Sequence, residues 1–335
     1  MSAAPPATDF KNSVISALQT MYTGELSLPG GKFKAMAYKK AIDNIRRFDG
    51  PVTSAEDIKK VDGVGKKIYD KIVEIVATGG LAAAERMKAR TDVGAMDTLL
   101  GIHGVGPVKA RELIAAGYTS IAELRAHPEV LNDTQRLGLK HYEAGIQRIP
   151  RAEMMAHEAI LLGALPGVLT GTIVGSYRRG AVNSGDIDVL LSYNAPGSHF
   201  AVFRDYVAKL AERGYIVDQL VSGNKKWMGY VRLGIDGIPR RLDLLLTPPA
   251  EFAYAILYFT GSDKFNIAFR RHCLTRGYSL NEHTMTPVGT VPPPSPPPMT
   301  SEADIFAFVG LRYVPPTERV DGAQIVPVLV RTPNA

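Results

Sequence analysis

The 335 residues carry 39 Lys and Arg against 33 Asp and Glu, a formal net charge of +6, and 45% of them are hydrophobic, enough to build sizeable cores in two or more domains. No apolar run approaches the ~20 residues of a membrane-spanning helix, and MSAAPPATDF lacks the basic-then-apolar pattern of a secretory signal, so the expectation is an intracellular protein with no membrane partner. The single Cys273 excludes an intramolecular disulfide framework and a multi-cysteine zinc site, and its expected role is core filling.

Residues 1–90 hold 15 basic and 10 acidic side chains, +5 of the total +6. Such a bias suits a segment that meets a polyanion such as DNA, although a solvated face would carry the same charge. Within it NSVISALQTMY, FKAMAYKKAIDNIRRF, SAEDIKKV and KKIYDKIVEIVATG read as short amphipathic helices separated by glycine or proline. VDGVGKKIYDKI at 61–72 and IHGVGPVKAREL at 102–113 repeat one pattern, pairing Gly63 and Gly65 with Gly104 and Gly106. A glycine turn lets backbone approach a ligand, and free N–H groups at the start of the next helix can hold a phosphate oxygen. These are helix-hairpin-helix signatures; two copies in basic surroundings predict sequence-independent binding of a DNA backbone, where one copy would be an ordinary helix connector.

From about residue 151 helices and strands alternate. RAEMMAHEAILLGAL and HFAVFRDYVAKLAERG read as helices; TGTIVG, GDIDVLLS, YIVDQLV, KWMGYVRLG and RRLDLLLT read as strands. The predicted class is α+β, a mixed sheet with flanking helices. A further helix opens at Ser262 and ends at a glycine. PPPSPPP at 292–298 cannot enter a ladder and reads as a stiff surface loop, and 320–335 reads as a loose tail.

The stretch IVGSYRRGAVNSGDIDVLLS carries the chemistry. In a strand Asp186 and Asp188 share one face while Ile187, Val189 and Leu191 face the core, and Asp243 of RRLDLLL alternates with leucines on what could be a neighbouring strand. Three crowded carboxylates repel one another, and bound divalent cations are the usual reason to tolerate this. Oxygen-only ligands suit Mg²⁺, and two such ions could activate an attacking hydroxyl and neutralise a leaving pyrophosphate. The Gly175-Ser176 turn offers N–H and hydroxyl donors to a triphosphate, and Arg179 adds charge. A bare Asp-x-Asp is most often a surface turn; the upstream turn, the apolar opposite face and the third aspartate favour nucleotidyl transfer.

Over nearly its whole length the chain resembles the family X DNA polymerases of the beta type, through GVGKKIYDKI, GVGPVKAREL, RIPRAEM, GSYRRGAVNSGDIDVLL, RRLDLLL, YFTGSDKFN and DIFAFVGLRYVPPTER. The resemblance implies a lyase domain over 1–90, a DNA-binding subdomain over 91–150, a catalytic palm over 151–260 and a nascent-base-pair subdomain with tail over 261–335. It implies that Asp186 and Asp188 bind both Mg²⁺ ions, with Mn²⁺ able to substitute, and that Asp243 binds the catalytic one. Arg148, Ser176, Arg179 and Gly185 would contact the triphosphate, and Arg241, on the Asp243 face of its strand, would hold the primer backbone. Tyr258, Phe259 and Gly261 would lie against the sugar and leave no room for a 2′ hydroxyl. Asp263, Asn266 and Arg270, one polar stripe at i, i+3 and i+7, would face the nascent base pair and template. Carbonyls of Lys59, Val61 and Val64, and of Leu100, Ile102 and Val105, would hold monovalent Na⁺ or K⁺.

A second chemistry is implied in the first ninety residues. Lys67 and Lys71 are one helical turn apart with Lys66 beside them, and clustered cations depress each other's pKa, although a solvated basic face would look the same. In the family pattern the lyase nucleophile falls on Lys71, with Lys34, Tyr38 and Lys67 as phosphate and support positions. The implied partners are gapped or nicked duplex DNA, dNTPs and other repair proteins, for a monomer acting in base excision repair in the nucleus, or at a site of viral DNA replication. No phosphopeptide-binding domain fits before residue 11, so partners recruited through one are not expected. The chain departs from the family at Leu245, where an arginine is common, at Phe33 in place of a histidine, and at His283 beside Glu282, where an aromatic hydroxyl is usual. The competing readings are a template-independent nucleotidyltransferase, such as a poly(A) or CCA-adding enzyme, and a non-catalytic DNA-binding scaffold.

Overall fold

The computed structural model describes residues 8–194 and 199–328. The chain forms two compact units that divide between Tyr142 and Glu143. Among the described residues no helix is long and apolar enough to cross a membrane.

The first unit contains α1 (Lys11–Ser27), α2 (Lys32–Arg47), α3 (Lys66–Thr78), α4 (Ala82–Lys88), α5 (Thr91–Leu100), α6 (Pro107–Ala115), α7 (Ile121–Ala126) and α8 (Asp133–Lys140). Apolar residues three and four apart give α3 one buried stripe, Ile68, Ile72 and Ile75, which packs on Val14 and Leu18 of α1 and Ile42 and Ile45 of α2. A second core gathers Met96 and Leu99 of α5 with Leu113, Leu124 and Leu139. SAEDIKKV is shorter than its pattern suggests, a four-residue 3-10 turn at Ala55–Ile58. Asp57 holds the entry to that turn by accepting from the backbone N–H groups of Thr53 and Ser54, both at 2.8 Å.

The two glycine turns are alike in conformation. Gly63 and Gly104 take left-handed φ values of +91° and +85°, which favour glycine. Gly65 and Gly106 are extended N-caps of α3 and α6. In each turn a valine N–H closes back on an upstream carbonyl at 3.0 Å, Val64 on Val61 and Val105 on Ile102.

After the one-turn α9 (Tyr142–Gly145), the second unit runs β1 (Ile149–Pro150), α10 (Arg151–Gly163), β2 (Leu169–Ile173), α11 (Gly175–Arg178), β3 (Asn183–Ser184), β4 (Ile187–Tyr193), α12 (Phe200–Glu212), β5 (Ile216–Ser222), β6 (Lys226–Val231) and β7 (Arg240–Leu246). Five strands form one mixed sheet in the order β2-β4-β7-β6-β5. Within this sheet of described residues only β4 and β7 pair in parallel, and β1 and β3 form a separate antiparallel pair. Alternation decides what each face does. Ile187, Val189 and Leu191 of β4 and Leu242, Leu244 and Leu246 of β7 bury against α10 and α12.

On the opposite face the parallel register sets Asp188 beside Asp243 and, two residues on, Leu190 beside Leu245. Helix α13 (Phe252–Thr260) covers the leucine end, where Leu190 and Leu245 pack with Ala255, Phe252 and Phe259. Leu245 therefore makes apolar contact under α13, where the resemblance implied an arginine.

The rest of the unit is α14 (Asp263–Thr275), β8 (Tyr278–Leu280), β9 (Met285–Pro287) and α15 (Glu302–Phe308), packed around Phe265, Phe269 and Phe306. Ser262 caps α14 by accepting from Phe265 N–H at 3.3 Å. The proline run 292–298 has no regular hydrogen-bonded structure.

The expectation of a loose tail from 320 is corrected as far as residue 328. Ser262 Oγ donates to the Val320 carbonyl at 2.6 Å, Val328 N–H to Gly310 at 2.8 Å and Arg312 N–H to Val326 at 3.1 Å, while Ile325 packs on the C-terminal core. Backbone pairing at Leu311 and Pro327 supplies an order that a pattern interrupted by Gly322 and Pro327 hides. Residues 329–335 lie outside the described residues.

Two arginines share one buried acid in this unit. Glu302 accepts from Arg178 at 2.8 Å and also from Arg319, whose side chain is fully buried. Truncating one member of a buried ion pair leaves an uncompensated charge. Arg319→Met should therefore lower unfolding free energy by roughly 3 kcal/mol, the low end of the usual range because Arg178 remains. Urea denaturation checks this.

Candidate active site

The carboxylate end of the β4–β7 pair opens into a cleft of ≈ 850 Å³. Asp186 lies one residue before β4, and Asp188 and Asp243 lie within the paired strands. Gly175 meets them from α11 with φ +59°, and a Cβ there would stand 2.4 Å from Asp188 Oδ2. Only glycine lets this turn approach the acid so closely. Val174 N–H donates to the Asp188 carbonyl at 2.8 Å, and Ser176 Oγ donates to Ser184 Oγ at 3.0 Å, so the turn is tied to the strand that carries the acids.

Arg241 stands among the three carboxylates. Its Nη1 donates to Asp243 at 3.2 and 3.3 Å and its Nη2 to Asp186. The alternation that puts 241 and 243 on one face thus yields a guanidinium paired with the acids. Asp188 is the acid least compensated. Burial, and then the Asp186 and Asp243 carboxylates, push its pKa up to about 7 against the pull of Arg241 and Arg179. Burial also holds Asp243 above its usual range, with Arg241 opposing. Burial pulls Arg179 downward.

Among the described residues no three acidic, histidine or cysteine side chains form a ready-made metal cage. The donor set nevertheless suits Mg²⁺, being all carboxylate oxygen. Burial and then like-charged neighbours raise Asp188, and a cationic side chain already pairs with Asp186 and Asp243. A hard divalent cation would replace that guanidinium charge at the same acids.

Around the acids the cleft is lined by Arg148, Ser176, Arg179, Gly185, Tyr258, Phe259, Gly261, Asp263, Asn266 and Arg270. The structure thus brings together every residue expected at the nucleotide and nascent pair. Arg148 is fixed by donating to Asn183 Oδ1 at 2.9 Å and to its carbonyl at 3.0 Å, and Arg179 Nη1 donates to the Thr260 carbonyl at 2.5 Å. Asn266 Nδ2 donates to the Tyr258 carbonyl at 2.7 Å. Tyr258 and Phe259 meet edge to face at 5.1 Å.

Ile267, Arg271 and Leu274 also line the cleft and were not singled out. Their signal was the period of α14, since 263, 267, 270, 271 and 274 fall on one helical face. The Arg178–Glu302–Arg319 cluster was also missed, and no local pattern in the sequence marks it. Arg178 reaches both Glu302 and Thr260 Oγ1, the latter at 2.6 Å, next to the carbonyl that Arg179 holds. His283 pairs with Glu251 at 2.7 Å and with Glu282 at 3.7 Å, so the departure at this position is absorbed by an acid across the fold.

The lysines expected in lyase chemistry lie in the first unit. Lys34 and Tyr38 are on α2, Lys67 and Lys71 on α3, and both helices pack on one core with Tyr38 at its edge. Lys71 Nζ donates to the Lys67 carbonyl at 3.4 Å, Lys34 lies 3.8 Å from Glu25, and Phe33 is 87% exposed. Lys66 and Lys67 are exposed at the N-terminal turn of α3.

A carboxylate cluster at one end of a mixed sheet, faced by a glycine-serine turn and ringed by arginines, defines the class as a nucleotidyltransferase-type palm. Four family models match in succession: a helix-hairpin-helix domain over 11–81, the fingers domain of DNA polymerase lambda over 97–144, the DNA polymerase beta palm over 148–249 and the DNA polymerase beta thumb over 255–320. The chain belongs to the family X DNA polymerases. It is 31% identical to DNA polymerase lambda of Rattus norvegicus over 93% of this chain and 57% of that protein. It is 27% identical to DNA polymerase lambda of Arabidopsis thaliana over 85% of this chain and 58% of that protein. It is 26% identical to the type-X family protein pol4 of Schizosaccharomyces pombe over 95% and 66% respectively. The chain thus spans somewhat more than half the length of the lambda relatives it matches.

The carboxylate cluster has a consequence for stability. The folded protein holds the Asp188 proton more tightly than an unfolded chain, whose carboxyl titrates near 3.8. The contribution is therefore full below about pH 4 and is lost as pH rises to about 7. Without divalent ions, wild type should become easier to unfold by urea between pH 5 and 8, and Asp188→Asn should flatten that trend and be the more stable protein at pH 8.

Proposed function

We propose that the protein is a DNA-directed DNA polymerase that fills short gaps in base excision repair, with a 5′-deoxyribose-phosphate lyase in its first ninety residues. The observation that carries the polymerase reading is the side-by-side placement of Asp188 and Asp243, with Asp186 tied to Asp243 through Arg241 and with Asp186 and Asp188 lining the arginine-rich cleft. Family membership supports the same reaction class.

Asp186 and Asp188 would hold two Mg²⁺ ions and Asp243 the one beside the primer terminus. When bound, the ions supply charge for the attacking oxygen and the leaving pyrophosphate. The rest is done by this chain. Arg148, Ser176 and Arg179 hold the triphosphate and Gly185 leaves room for it. The primer 3′ oxygen bonds to the α-phosphorus as the bond to the β-phosphate oxygen breaks. Asp243, whose pKa burial raises, is suited to accept the 3′ hydroxyl proton. Arg241 would exchange its acid contacts for a primer phosphate. Tyr258, Phe259 and Gly261 crowd the sugar, and Asp263, Asn266 and Arg270 flank the nascent pair. DNA backbone would be held at Gly63, Gly65, Gly104 and Gly106, with Na⁺ or K⁺ on the carbonyls of each turn.

In the lyase step Lys71 Nζ, supported by Lys34, Tyr38 and Lys67, attacks C1′ of the open sugar and water leaves to form an imine. Loss of a C2′ proton then breaks the C3′–O bond and frees a 5′-phosphate DNA end. The two similar glycine turns support a DNA substrate over the template-independent alternative.

On a one-nucleotide gap, wild type should add the templated dNTP only with Mg²⁺ or Mn²⁺. Asp243→Ala should lose at least a thousandfold in rate while binding the gapped duplex as before. Template-independent tailing would favour the transferase reading, and no metal-dependent synthesis by wild type the scaffold. Borohydride should trap wild type on a 5′-incised abasic duplex, with trapping lost in Lys71→Ala; undiminished trapping would move the nucleophile elsewhere. Incorporation of dCTP should exceed that of CTP by at least a hundredfold, and equal use would remove the sugar gate.

A further inference from the structure

The run Pro292-Pro293-Pro294-Ser295-Pro296-Pro297-Pro298 takes no part in the cleft. It is also unusual chemistry to display. Proline fixes φ and removes the donor, and a residue that precedes proline is confined to extended backbone. Within 291–298 every residue except Pro294 and Pro298 precedes a proline, so the segment is held close to polyproline II geometry before any partner arrives.

Burial along the segment has the period that such a helix requires. Pro293 and Pro296 are half-buried and Met299 is buried, three residues apart each time, while Val291, Pro292, Pro294, Ser295, Pro297 and Pro298 are exposed. A polyproline II helix has three residues per turn. One edge therefore rests on the protein, and the other two form a continuous exposed ridge built of the pairs 291–292, 294–295 and 297–298.

The inward edge is anchored. Pro293 packs over Gly277, where a Cβ would meet it at 3.1 Å, and Tyr278 Oη donates to the Pro294 carbonyl at 3.0 Å. Met299 closes the far end within the C-terminal core. The fold thus holds the run by one side and presents the other.

We propose that residues 291–298 are a docking ridge for a partner domain whose aromatic-lined groove reads a polyproline II helix. Such grooves receive consecutive residue pairs from two adjacent edges of the helix, and Pro294 and Pro297, three apart on one exposed edge, supply the Pro-x-x-Pro spacing they read. Preorganisation lowers the ordering cost of binding, which a flexible loop would have to meet in full. The inference stands apart from the polymerase reading, because it needs neither the acids nor the cleft.

Full-length protein should be titrated by calorimetry with purified SH3, WW and EVH1 domains as probes. At least one should bind saturably, and a free peptide spanning 289–300 should compete for it. The double substitution Pro294→Ala and Pro297→Ala should weaken binding at least tenfold while leaving the urea midpoint and metal-dependent nucleotide incorporation unchanged. Failure of all three domains to bind, or equal binding of the double variant, would overturn the proposal.

Discussion

The parallel pairing of β4 with β7 is the constraint on which the site depends. A strand pair in this register must place Asp188 against Asp243 whenever Ile187, Val189 and the leucines on either side of Asp243 face the core. A slip of one residue would turn Ile187, Val189 and Leu191 outward and drive the carboxylates into apolar packing. The free energy of burying those leucines is therefore what holds two like charges together, and no local attraction between the acids is required.

Electrostatics then decides how the acids are neutralised. Two of the acids pair with Arg241, although burial still holds Asp243 above its usual range, and Asp188 carries the largest cost as a raised pKa. An arginine that neutralises the acids and lies on the face where primer is expected links the two partners physically. Whatever draws the guanidinium away exposes carboxylates to a divalent ion, and whatever neutralises the carboxylates frees the guanidinium for a phosphate. The glycine at 175 completes the arrangement by letting the turn that carries Ser176 come within contact of Asp188.

Much of this was legible in the sequence because it is written in short periods. Alternation over IDVLLS and RRLDLLL gave the face of each aspartate, and paired glycines gave two turns of the same conformation. The polar stripe of α14 followed from helical spacing, and its extension to Ile267, Arg271 and Leu274 follows from the same rule carried one turn further. What stayed hidden is long-range. Glu302 meets Arg178 across 124 residues, and nothing near either residue announces the other. The segment after 320 reads as irregular, broken by Gly322 and Pro327, yet it docks through backbone groups, which side-chain patterning does not encode. Leu245 was legible as a lost charge, but its contact with Leu190 beneath α13 needed the register of two strands and the placement of a helix.

The central claim is that three carboxylates, released from Arg241, hold paired divalent ions around a nucleotide. Manganese binding followed by electron paramagnetic resonance tests it most directly, with full-length protein, a one-nucleotide gapped duplex ending in a dideoxy primer, and the matching dNTP. Two bound Mn²⁺ per chain in wild type, falling below two in Asp188→Asn, is the predicted result. Saturation that is the same in both proteins, or no protein-dependent Mn²⁺ binding at all, would contradict it.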